Sequence, residues 1–247
     1  YQLNLFACKA DRAQQLMEAD LLIKPVPDQP VPPTPSYWLE ITSDLAYAQP
    51  FLSQWRSLSM STAEETQIYL KGLSYFWLAQ AAELPAAQRF PSLQAAFDCL
   101  QQAVEARPSW ARQCSLARVA AALGDRQISV QTLQDLSRAL VADRPYSMDE
   151  PFLPVHPQYD QQPPPENWQD WLLVSILETY ESSRAFSSYF SPQESVAILS
   201  QVVQTPAHSH KADRRLRLAK QLLTASHTIP AVEDAPLSGD APFLKTD

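Results

Sequence analysis

Residues 96–125 read AFDCLQQAVEARPSWARQCSLARVAAALGD. Leu93, Ala96, Phe97, Leu100, Ala103 and Val104 recur at three- and four-residue spacing, with Gln94, Asp98, Gln101 and Glu105 on the other side. That is the period of an amphipathic helix. Pro108 ends it, since proline neither donates nor tolerates the next helical turn. A second helix runs from Trp110 to Leu123 and is stopped by Gly124, which suits a left-handed C-cap. Asp125 then N-caps a third helix to about Ala142, with Val130, Leu133, Leu136 and Leu140 as its core face.

Working outward, the same logic covers most of the chain. Ser61-Thr62-Ala63-Glu64 has the form of a capping box. It predicts a helix to about Glu83 whose face is Tyr69, Gly72, Leu73, Phe76 and Trp77. Pro91 suits the first position of the next helix, leaving residues 84–90 as a loop. Ser36 to Ala48 and Phe51 to Leu58 read as two short helices broken at Pro50. A helix around Trp168, Trp171, Leu172, Val174, Ile176, Leu177 and Tyr180 is apolar nearly all round and should be buried. Ser191-Pro192-Gln193-Glu194 opens another, running to about Gln204, and Lys211 to Ala225 forms the last.

The small second-helix residues and the proline resemble the tetratricopeptide repeat. Ala96, Leu100, Ala103 and Pro108 match that family's small, large, small and proline positions. Leu116, Ala117, Ala120 and Leu123-Gly124-Asp125 match the first helix and turn of a following repeat, and Tyr69, Gly72 and Tyr75 give a weaker match before them. The likeness covers residues 62–142, about two repeats, whereas about three are needed for a stable stack. It implies an all-α array of helical hairpins, completed by additional packed helices and long Pro-rich loops. It also implies a groove that takes an extended protein or peptide segment.

The chain has 247 residues, three glycines and 22 prolines. A dinucleotide fingerprint or a P-loop needs clustered glycines, and none cluster here. The net charge of −8 argues against nucleic acid as a partner. No apolar run is long enough to insert in a membrane. Three cysteines without paired spacing predict reduced thiols in a cytoplasmic protein. Residues 1–24 read as the end of an upstream domain, with Tyr1 to Cys8 a strand and Ala10 to Glu18 a short helix. Residues 25–35 hold six prolines and form a stiff linker. Residues 36–225 form the helical domain, and 226–247 an acidic disordered tail.

A second resemblance rests on Glu150 to Pro154, Tyr159-Asp160, Trp168 to Leu172 and Arg184 to Phe190. These look like a helical C-terminal region of bacterial proteins that carry an FkbM-type methyltransferase or a glycosyltransferase. Tyr1 to Lys9 is similar to the closing strand of such a domain. The likeness implies an S-adenosylmethionine-dependent or sugar-transferring enzyme upstream, with this chain helping to position its substrate.

No residue of the chain reads as catalytic, cofactor-binding or metal-binding. His208-Ser209-His210 lacks nearby third and fourth ligands. Lys211, Arg214, Arg215, Arg217 and Lys220 read as a solvated basic face, Asp149 and Glu150 as loop charge, and His156 as a turn histidine. Cys99 and Cys114 have no activating base in sequence reach. The candidate partner-binding or groove residues are the aromatics Tyr69, Tyr75, Trp77, Trp110, Tyr159 and Trp168, although helical spacing favours core positions. The expected role is a non-catalytic interaction module. Its groove ligand is a protein or peptide segment, with the Pro-rich residues 141–165 as a candidate in cis.

Overall fold

The computed structural model describes residues 9–19, 29–142, 147–184 and 192–228. Among the described residues there are ten α-helices and no strand. They are α1 (Ala10–Glu18), α2 (Tyr37–Thr42), α3 (Leu52–Leu58), α4 (Glu64–Gln80) and α5 (Ala86–Ala106). There follow α6 (Trp110–Leu123), α7 (Arg126–Ala142), α8 (Trp168–Arg184), α9 (Pro192–Val202) and α10 (His210–Thr228). Short 3-10 turns occupy Ala46–Phe51 and Pro157–Tyr159. The strand expected at Tyr1 to Cys8, the tail from 229 onward and most of the motif at 184–190 lie outside the described residues.

From α4 to α10 each helix packs on the next in sequence, and α4 also touches α6. α2 lies against α4, and α3 folds onto the 3-10 turn before it. Contacts between sequence neighbours dominate, which keeps loop-closure costs small. One apolar core extends from Trp38 through Leu100, Leu133 and Ile176 to Leu216.

Local chemistry sets the helix ends. Ser109 caps α6 by accepting the Arg112 amide at 3.2 Å. Gly124 ends it with φ of 82°, a left-handed conformation that disfavours any residue with a Cβ. The Asp125 carboxylate then accepts the Ile128 amide at 3.1 Å and opens α7.

Three boundaries differ from the sequence reading. Ser61 does not cap α4: its hydroxyl accepts the Ala63 amide two residues on, and the helix starts at Glu64 behind Ala63. That local turn competes with the capping box for the same oxygen. Pro91 lies inside α5 rather than at its start, which is near Pro85. Only one intrahelical bond is lost there, and the packing of α5 on α4 outweighs it. The expected helix from Ser36 to Ala48 is only α2, followed by a 3-10 turn that admits Pro50. As expected, α8 is buried all round, from Trp171 to Glu181.

The end of the proline segment is largely exposed but borders α4. Pro32, Pro33, Thr34 and Pro35 face Glu64, Gln67, Ile68 and Lys71 of α4 across a cleft of about 280 Å³. No described helix is long and apolar enough to cross a membrane.

Gly72 is where α4 and α5 come closest to a steric limit. A Cβ placed there would meet Leu100 at 3.0 Å and Cys99 Cβ at 3.2 Å. Leu100 is fully buried and has little room to retreat. Gly72→Val should therefore destabilise the fold by about 1–3 kcal/mol in urea unfolding, the usual range for overpacking. An unchanged midpoint would show that the helix pair can open at no cost.

Candidate functional site

The connection between α7 and α8 returns through the molecule. Residues 147–160 cross α4 and α6 on one side and α3 with its preceding 3-10 turn on the other. Met148, Phe152, Leu153, Val155 and Tyr159 are all buried. Residues 150–155 have no helix or strand of their own, so their backbone polar groups must find other partners.

Those partners are side chains. The indole N–H groups of Trp110 and Trp55 donate to the carbonyls of Ser147 at 3.0 Å and Met148 at 2.9 Å. The Tyr69 hydroxyl donates to Pro151 O at 2.5 Å, and the Tyr47 hydroxyl to Phe152 O at 2.5 Å. Arg118 donates to Pro154 O at 2.8 Å. Ser115 Oγ accepts the Leu153 amide at 2.9 Å and lies 2.9 Å from the Tyr69 oxygen, to which it can give its own proton. Burial pushes the phenols of Tyr47 and Tyr69 well above their ordinary range, so both stay protonated and serve as donors.

Two carboxylates anchor the segment. Glu150 accepts from Arg112 Nη2 at 2.8 Å and Nε at 3.1 Å, from Arg107 at 3.1 Å and from Ser109 Oγ at 2.6 Å. Arg112 is 0% exposed. It also donates to the carbonyls of Ala103 and Arg107 and stacks 5.3 Å from the Tyr69 ring. Asp160 pairs with Arg118 at 2.9 Å; burial raises its pKa while the arginine opposes that rise. Phe152 sits among Trp110, Tyr47 and Trp55, with ring centroids 4.9, 5.4 and 5.9 Å away. Edge-on geometry at these separations is favourable.

The sequence-selected aromatics divide accordingly. Tyr69 and Trp110 hold the segment, and Tyr159 belongs to it, packed edge-on to Trp171 at 5.9 Å. Trp168 flanks the groove 6.1 Å from Trp110. Tyr75 and Trp77 are buried on α4, beside Lys71 and Phe76 respectively. None of the six is exposed, so they do not form a free aromatic surface. The reading of Glu150 as loop charge is corrected: its carboxylate is buried against Arg112 of α6. Sequence reasoning also passed over Tyr47, Trp55, Arg112, Ser115 and Arg118. The available signal was two arginines, six residues apart, on an otherwise Ala-, Leu- and Val-rich helix.

Beyond the groove, Glu178 of α8 accepts the amide and hydroxyl of Ser209, each at 2.7 Å. Arg215 of α10 pairs with the buried Glu181. Lys211, Arg214, Arg217 and Lys220 point to solvent. Among the described residues no group of His, Cys, Asp and Glu is placed to hold a metal ion. His208 instead contacts Thr205 O at 2.5 Å and Asp213 at 3.0 Å. Burial pushes the thiols of Cys114 and Cys99 up, the opposite of an activated nucleophile. His156 accepts the Gln158 amide at 3.2 Å and caps the 3-10 turn. No protein-family model, curated protein or solved structure matches the chain.

Glu150→Leu should cost about 3–5 kcal/mol by leaving Arg112 buried without its charge partner. Adding Arg112→Met should recover at least half of that in urea unfolding. Strictly additive losses would show that the two residues do not act as a pair.

His156 and His208 should titrate on opposite sides of the ordinary value near 6.5. The Thr205 carbonyl, aided by Asp213, raises His208, so its protonation stabilises the fold at low pH and that contribution fades as pH rises through the raised value. Burial, with Arg118 and Lys211, lowers His156, so the fold is penalised as pH falls toward the lowered value. Imidazole NMR titrations check this; His156 titrating above His208 would contradict the assignment.

Proposed function

We propose that this chain is a non-catalytic, tetratricopeptide-like interaction module whose groove holds an extended peptide segment, and that the segment it holds is its own residues 147–160. The observation that carries this reading is the set of side-chain donors on α3, α4, α6 and the 3-10 turn aimed at the carbonyls of Ser147, Met148, Pro151, Phe152 and Pro154, in a stretch without secondary structure. A groove that satisfies backbone groups in this way holds a chain that has no secondary structure of its own. The packing of each helix from α4 to α10 on its neighbour in sequence, with α4 also touching α6, supports the hairpin-array reading.

A held segment and a core segment respond differently to weakening. In the full chain carrying Glu150→Gln and Phe152→Ala, amide exchange across residues 147–160 should accelerate at least about 100-fold. The amides of α4 and α6 should keep their protection, since local opening need not involve the stack. If α4 and α6 lose protection in step with the segment, residues 147–160 are an inseparable part of the core and the reading falls.

A further inference from the structure

Most of the contacts in the groove read only backbone, but three read side chains and so carry selectivity. Arg112 is buried with Glu150 as its charge partner. Phe152 fills the box made by Tyr47, Trp55 and Trp110. Asp160 takes the guanidinium of Arg118.

The groove also selects for proline. It offers donors to the carbonyls of Pro151 and Pro154, and its acceptor, Ser115 Oγ, meets the one intervening amide that it can satisfy, that of Leu153. Prolines at 151 and 154 bring no N–H that would have to find an acceptor once buried.

The two charge anchors are not equivalent. Arg112 and Arg118 are six residues apart on α6, a rise of about 9 Å. Ten extended residues between Glu150 and Asp160 would span about 33 Å. The ligand must therefore turn back, as the chain does at Pro157–Tyr159. The short core of the recognition element is Glu-Pro-Phe-Leu-Pro, and the Asp160 contact is an accessory.

We infer that the groove is selective for an extended partner segment with a carboxylate two residues before a phenylalanine and prolines on either side of the Phe-Leu pair. In the intact chain, residues 147–160 block that site. This rests on the groove being a peptide-holding site. The covalent tether gives the internal segment an effective concentration on the order of millimolar. A partner segment therefore binds only when the internal anchors are weakened or outcompeted.

The test uses the full chain with Glu150→Gln and Phe152→Ala, and a fluorescein-labelled peptide of the sequence of residues 147–160. Fluorescence anisotropy should show saturable binding to the variant and at least tenfold weaker binding to the unsubstituted chain. Peptides carrying the Gln or the Ala at the corresponding positions should bind at least tenfold more weakly than the native peptide. Absence of saturable binding to a folded variant, or equal binding of the three peptides, overturns the inference. If the variant is unfolded alone, peptide-dependent recovery of its helical circular dichroism supports it, and no recovery overturns it. Exchange protection separates the two failures: a segment that undocks while α4 and α6 stay protected leaves the groove reading standing even if no free peptide binds.

Discussion

The arrangement of this protein depends on a buried ion pair. Arg112 has no access to water, and its charge is compensated by Glu150, a residue separated from it by all of α7 and a loop. Burying either charge alone is costly, and the attraction offsets that cost only where the geometry is good. Here the guanidinium reaches Glu150 through two nitrogens and gives its Nη1 hydrogens to the carbonyls of Ala103 and Arg107. The pair thus ties the end of α5, the start of α6 and the returning segment at one point. Phe152 and Leu153 follow two and three residues on, so fixing Glu150 also helps to place these buried side chains.

The groove and the segment solve each other's problem. Tyr47, Trp55, Tyr69, Trp110 and Arg118 turn their side-chain donors toward one stretch of chain. A proline-rich stretch has carbonyls to satisfy and few amides to lose. Joining them removes water from both at little hydrogen-bonding cost. The same logic recurs on a smaller scale where Glu178 and Glu181 of α8 meet Ser209 and Arg215 of α10, binding the last helix to the stack.

Much of the fold was legible in the residues. The apolar period of α5 to α7, the stop at Gly124, the cap at Asp125 and the burial of α8 follow from local rules, because helix period and capping act over a few residues. The errors were also local in kind. Ser61 makes a tighter turn than the capping box, and Pro91 is carried within α5 by tertiary packing. The groove was partly legible, through Tyr69 and Trp110 and through the length of the proline segment. Its charged anchors were not, since nothing near Glu150 in the chain reveals that Arg112 faces it.

By itself, then, the sequence determined the helical class and the order of the main helices, set by interactions within a turn or between adjacent helices. Only the tertiary structure decided that residues 150–155 are buried, that Glu150 is an anchor rather than loop charge, and that Tyr69, Trp110, Tyr159 and Trp168 gather around that segment. The reason is physical: a residue's pairing across 38 positions, as between Arg112 and Glu150, depends on where the intervening helices carry the chain. No local period or spacing encodes that path.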